Sequence, residues 1–312
     1  MTAPIEPYQP RRAPRREMLD VRGLRLQITR WGSGDSNCIL LLHGFQDSGA
    51  TFQFLVDSLP DDWSFIAPDL RGFGGSDGHN HSYWFPDYLA DVDALLAHYL
   101  PAGAQGRVIG HSMGGNIALM HAGVRPERWR WVVSLEGFGL PRTRPFDAPA
   151  RYVQWLNAAQ AGPRPRSRYQ DTDVLARKLM ERNKLLAAER AAFIAQAWTR
   201  PDPDGGVEIA ADPWHRLVNP VLYRREEAEA CWRQISAPTL MVLASGSDYL
   251  GRLERDDDVV SMQKCIRTLE VARLEGLGHM MHHEDPAAVA APLIEFVRRH
   301  DTGTSTLAGV SP

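Results

Sequence analysis

The stretch Arg107-Val108-Ile109-Gly110-His111-Ser112-Met113-Gly114-Gly115-Asn116-Ile117-Ala118-Leu119-Met120 decides how this chain is read. Val108 and Ile109 are β-branched and apolar, as a buried strand favours. After Gly115 the apolar residues Ile117, Leu119 and Met120 read as a helical stripe. Between strand and helix stands Gly-x-Ser-x-Gly, centred on Ser112. A strand that turns into a helix so abruptly leaves no room for flanking side chains, so glycines bracket the serine. The turn holds the serine oxygen above the sheet. The Met113 amide, at the start of the helix, points where an oxyanion would form. Ser112 is therefore the candidate nucleophile, with Met113 as one oxyanion donor.

Further partners are sought outward from this point. The apolar run Cys38-Ile39-Leu40-Leu41-Leu42 leads into His43-Gly44-Phe45-Gln46-Asp47. Gly44 lets the backbone approach closely, which makes the Phe45 amide the candidate second donor. A serine at its ordinary pKa needs a base. His279 has the required place, after the loop Glu275-Gly276-Leu277-Gly278 and before the last helical stripe. The base in turn needs a carboxylate to set its tautomer. Asp248, reached from the strand Leu240 to Ala244 through Ser245-Gly246-Ser247, gives the chain order Ser, Asp, His and is the expected acid. Glu136, at the end of Trp131 to Leu135, is the alternative; its expected job is lining the pocket or anchoring the segment that follows. His111 reads as packing, His282 and His283 as a helix entrance, and His79 and His81 as a solvated loop.

Strand-like runs at Leu24–Trp31, 38–42, 63–67, 107–109, Trp131–Leu135, 238–244 and 268–274 alternate with helical stripes. That rhythm predicts an α/β chain with a mainly parallel sheet. It breaks between Pro141 and Glu229, where prolines, arginines and helical patches predict a helical insertion. Trp155, Phe193, Trp198, Trp214 and Tyr223 would form its own small core or a roof over the site. The expected organisation is a flexible tail at 1–17, a core at 18–140 and 230–300, the insertion at 141–229 and a second flexible tail at 301–312. Asp256, Asp257 and Asp258 read as a charged helix start.

Composition narrows the partners. A formal net charge of -3 over 312 residues gives no reason to expect nucleic acid or an anionic membrane. No apolar run reaches the ~20 residues needed to span a bilayer. The first 16 residues lack the apolar stretch of a secretory signal, and the three cysteines lack metal-ligand spacing. The expectation is a cytoplasmic protein acting on a small molecule, with no cofactor and no metal.

The elbow at Ser112, His43 to Asp47, Pro68-Asp69-Leu70-Arg71-Gly72-Phe73-Gly74-Gly75-Ser76, the loop at Asp248 and Gly278-His279 together resemble the α/β-hydrolase superfamily over about residues 20–300. More narrowly the chain resembles its serine-hydrolase-like branch, with a helical cap inserted after the sixth strand. The resemblance implies the α/β-hydrolase fold and hydrolysis of a small, apolar carboxylic ester through an acyl-enzyme. Serine at the elbow departs from the haloalkane dehalogenases and epoxide hydrolases, which use aspartate there. Carbon–carbon bond hydrolysis, cofactor-free lyase or oxygenase chemistry, and non-catalytic ligand binding are the other uses of such a site.

Overall fold

Each buried apolar run must pair its backbone groups with another strand, and here they assemble one sheet. A computed structural model of the protein describes residues 3–33, 38–79, 81–249 and 258–301. In chain order the strands are β1 (Arg15–Val21), β2 (Leu24–Trp31), β3 (Ile39–Leu42), β4 (Phe65–Pro68), β5 (Gly106–His111) and β6 (Trp129–Leu135). Three short strands follow, β7 (Arg168–Tyr169), β8 (Thr199–Pro201) and β9 (Val207–Ile209), then β10 (Thr239–Ala244) and β11 (Leu269–Leu274). The main sheet is eight-stranded, in the order β1-β2-β4-β3-β5-β6-β10-β11. β1 and β2 form an antiparallel hairpin and β2 meets β4 antiparallel, while the remaining pairs are parallel. Every residue of β3, β5 and β10 is buried, as strands covered on both faces must be.

Helices cover both faces. On one side α1 (Gln53–Ser58) and the closing helix Pro286–His300 pack Leu55, Val56, Leu293 and Phe296 against Leu41, Ile109, Val133 and Val242. On the other, α2 (Phe85–Tyr99) and α3 (Met113–Val124) bring Val92, Leu95, Ile117 and Leu119 against Leu40, Val108 and Val132. Crossovers of this kind send the parallel strands in one direction, so the loops at their carboxyl ends gather along one edge. No helix among the described residues is long and apolar enough to cross a membrane.

Three expectations need correction. The stretch read as a free tail at 1–17 is tied down: Tyr8 Oη donates to Asp57, as do the amides of Arg11 and Arg12, and Arg15 to Glu17 already belong to β1. Most β1 side chains are exposed, so pairing with β2 rests on backbone hydrogen bonds that leave no hydrophobic alternation to read. At the other end, Asp301 is buried and paired with Arg107 and Arg130, not part of a free tail; 302–312 lie outside the described residues. The segment between β6 and β10 carries helices, α4 (Ala148–Ala161), α5 (Thr172–Arg182), α6 (Ala188–Ala197) and α7 (Arg225–Trp232), but also the three-stranded sheet β7-β9-β8. Strands of two and three residues are too short for a period-2 signal. Of the charged helix start, Asp258 begins α8 (Asp258–Cys265), and Asp256 and Asp257 lie outside the described residues.

His215 joins this segment to the main sheet. It stacks 3.5 Å from Tyr83 and 3.9 Å from Phe73, and its Nε2 donates to the Arg71 carbonyl. Burial lowers its pKa to about 3, and burial likewise lowers that of His121 to about 4. Both lie below the ~6.5 of an unfolded chain, so protons bind the unfolded state first. Their stabilisation is complete above about pH 6.5 and is lost as pH falls towards about 4 and then 3. Thermal melts across that range are expected to show a steadily falling Tm. A Tm that stays flat between about pH 6.5 and 4 would contradict neutral buried rings.

Candidate active site

Ser112 joins β5 directly to α3 with φ 51° and ψ -112°, a left-handed backbone that a non-glycine residue adopts only under strain. The glycines around it are sterically required. A Cβ on Gly110 would lie 2.3 Å from the Gly114 carbonyl oxygen, and one on Gly114 would lie 2.0 Å from that of Leu42. The Ser112 amide donates to the Leu135 carbonyl, and its own carbonyl accepts from Asn116. Met113 stands in the first turn of α3, where an amide has no acceptor four residues back. The loop after β3 lies alongside: a Cβ on Gly44 would come within 3.3 Å of Ser112 Cβ. Phe45, half exposed, presents its ring edge-to-face to Phe73 and His215.

His279 follows β11 in the loop before α9 (Met281–Glu284). Its Nδ1 lies 2.7 Å from Glu136 Oε2. A carboxylate accepts, so the proton sits on Nδ1 and Nε2 keeps its lone pair, the form a general base needs. Glu136 is buried and fully engaged: Oε1 accepts from the Ala244 amide at 2.9 Å, and Oε2 also accepts from Ser247 Oγ at 2.6 Å. It too has a positive φ, 51°, at the point where the chain leaves β6.

This corrects the expected acid. Asp248 is exposed, on the turn beyond β10, and it is Glu136 that meets His279. The reason lies in how the 245–248 turn is pinned. The Ser245 amide donates to Leu274 and the Gly246 amide to Leu277, which sends Ser247 inward and Asp248 out. The polar loop instead supplies the Ser247 hydroxyl that holds Glu136. The sequence did carry one pointer to Glu136, a carboxylate directly after a buried strand and before Gly137.

His111 is a packing residue and His282 and His283 stand at the entrance to the closing helix, as expected; what the sequence did not show is that the three rings meet. All three are buried, and His111 Nε2 donates to the His279 carbonyl at 2.9 Å. Burial holds the His111 ring far below the usual imidazole range and brings His283 down to about 3. Beside them lies Asp47, whose Oδ1 accepts from the Ser48 amide, Thr51 Oγ1 and, from the segment between β6 and β10, Trp198 Nε1 at 2.7 Å. Burial opposes ionisation of Asp47, but the facing rings of His283 and His282 outweigh it and keep the carboxyl below its usual range. Sequence reasoning passed over Asp47 altogether. Asp69, directly after β4, accepts from the amides of Gly49 and Gly75 and from Gln27, so its buried carboxylate is consumed in holding loops. His79 and His81 stack on one another in their loop.

Among Trp155, Phe193, Trp198, Trp214 and Tyr223, Phe193 packs with Phe54 and Tyr8, and Trp198 ties down to Asp47. Trp155 donates from Nε1 to Ser82 Oγ. Trp214 heads a short 3-10 turn capped by Asp212, and the Tyr223 carbonyl accepts from Thr143.

Comparison with known proteins adds to this geometry. The sequence model described as the Alpha/beta hydrolase family matches residues 39–291. A "Serine hydrolase-like protein" of Danio rerio is 28% identical over 283 residues, covering 88% of this chain and 85% of that protein. "Epoxide hydrolase A" of Mycobacterium tuberculosis is 24% identical over 333 residues, covering 91% of this chain and 98% of its own. Among solved structures, the "Thioesterase Domain From Curacin Biosynthetic Pathway" superposes with a TM-score of 0.79 at 24% identity, over 91% of this chain and 99% of that one.

Proposed function

The chain belongs to the alpha/beta hydrolase family, and on that premise we propose that it is a serine hydrolase of a small, apolar carboxylic ester or related acyl compound. The observation that carries this reading is the His279–Glu136 pair, whose histidine carbonyl meets His111, the residue before a serine held at φ 51° between strand and helix. In the proposed reaction Ser112 attacks the carbonyl carbon while His279 Nε2 takes its proton. Glu136 holds the ring by Nδ1 and stabilises the imidazolium that forms. The amides of Phe45 and Met113 receive the oxyanion. Protonated His279 returns its proton to the leaving alcohol, and the acyl-enzyme is hydrolysed by a water that His279 deprotonates.

The segment between β6 and β10 acts as the cap, fastened to the core by Trp198 on Asp47 and His215 on Arg71. The exposed Phe45 ring beside Phe73 supports an apolar acyl or alcohol group. Serine at the elbow disfavours the epoxide chemistry named for one relative, because aspartate is the nucleophile there.

A fluorophosphonate is expected to label the folded protein once, at Ser112, as read by peptide mass spectrometry. No label, or label on another residue, removes Ser112 as nucleophile. A panel of esters, thioesters, amides and diketones then ranks the acyl chemistry, with short apolar esters expected first.

A further inference from the structure

We propose that Asp47, His111 and His282 form a buried binding site for one zinc-class divalent ion, with His283 at its edge. The proposal is independent of which acyl compound the enzyme takes, and it departs from the metal-free expectation drawn from the sequence. One donor atom from each of the three residues lies within 4.8 Å of the other two, and all three residues are buried.

The hydrogen bonds leave these atoms free to ligate. His111 Nε2 faces a carbonyl oxygen, which only accepts, so that nitrogen carries the proton and Nδ1 holds a bare lone pair. Among the described residues, His111 Nδ1, both ring nitrogens of His282, Nε2 of His283 and Asp47 Oδ2 make no hydrogen bond. Asp47 divides its labour: among the described residues three donors occupy Oδ1 and none reaches Oδ2. Buried polar atoms left unmet are costly, and several converging on one point call for a shared partner.

Distances favour a metal over direct pairing. Asp47 Oδ2 is 3.8 Å from His282 Nε2 and 3.6 Å from His283 Nε2. A hydrogen bond would bring such atoms to about 2.7–3.2 Å. Two ligands on a tetrahedral zinc ion, each bound at about 2.0–2.2 Å, stand roughly 3.4 Å apart. The Asp47–His282 and Asp47–His283 separations lie within a few tenths of an ångström of that figure, and His111 brings its ligand atom within the 4.8 Å that encloses all three. Imidazoles with one carboxylate suit zinc, cobalt or nickel better than magnesium or calcium. An imidazole whose second N–H is held by a backbone carbonyl is the usual state of a metal-ligating histidine. Here that carbonyl belongs to His279, so an ion at this site would fasten the loop that carries the catalytic base.

The test is equilibrium dialysis of chelator-stripped protein against Zn²⁺ and against Co²⁺, with metal counted by mass spectrometry. One ion per chain is expected, with the visible absorption of tetrahedral cobalt and a raised Tm in zinc. His282→Gln and His111→Gln should each weaken binding at least about 100-fold, while the double variant of His79 and His81 to Gln should bind as the parent does. No stoichiometric binding, binding untouched by the His282 and His111 changes, or binding lost with His79 and His81 would each overturn the proposal. Should circular dichroism show either ligand variant unfolded, X-ray absorption of the zinc-loaded parent decides. A nitrogen and oxygen shell with imidazole scattering supports the site; a sulfur-containing or all-oxygen shell refutes it.

Discussion

Glu136→Gln is expected to lower turnover on the order of 10⁴-fold, while Asp248→Asn stays within about threefold of the parent. The buried carboxylate lies 2.7 Å from His279 Nδ1 and holds the proton there. An amide at that place can present its NH₂ to the ring, which favours the opposite tautomer and removes the Nε2 lone pair that the proposed reaction uses. The loss should fall on kcat, because the group acts on the base and not on substrate binding. Asp248 is exposed and has no place in this pair. Ser247→Ala gives a graded control: it removes one donor to Glu136 but leaves the backbone donor from Ala244, so its effect should be much smaller. Steady-state kinetics on all three, with folding checked by circular dichroism, measure this. Equal losses in the Glu136 and Asp248 variants would count against the assignment, and a severe loss in Asp248→Asn alone would reverse it.

The largest stability effect should come from Asp301→Ala. Asp301 sits at the end of the closing helix and gathers Arg107 from β5, Arg130 from β6 and the Trp131 indole at 3.0 Å. Burial would raise its pKa, but the bond from Arg107, and then those from Trp131 and Arg130, hold it down at about 2. Arg107 is itself buried. Removing the carboxylate strands that guanidinium without a counter-charge, a change that typically costs about 3–5 kcal/mol. A Tm drop on the order of 5–10 °C in calorimetry is expected. Asp301→Asn, which retains acceptor capacity but not charge, should fall between. A shift below about 2 °C for Asp301→Ala would show that the cluster is solvated in solution.

How much of this was legible in the sequence depends on the range of each interaction. Gly110, Ser112 and Gly114 could be read directly, because the clashes that demand glycine arise where β5 turns into α3 within a few residues. The buried strands 38–42, 131–135 and 240–244 were legible for a similar reason, since covering both faces leaves a continuous apolar run. His279 followed from its place after the last strand.

The choice between Asp248 and Glu136 was of another kind. Both follow a buried strand, and no local pattern records which way the 245–248 turn points. That is decided by the amides of Ser245 and Gly246 reaching Leu274 and Leu277, contacts made only once β10 and β11 lie side by side. The same holds for Asp47 with His111 and His282, which sequence separates widely and the fold buries together. It holds also for Asp301, whose neighbours come from the middle of the sheet, and for Tyr8, Arg11 and Arg12 on Asp57. By itself the sequence determined the fold class, the elbow at Ser112 and the loop that carries His279, because backbone sterics and apolar periodicity act over a few residues. Only the tertiary structure decided which carboxylate meets His279 and which buried charges find partners, because those pairings depend on sheet order and loop direction.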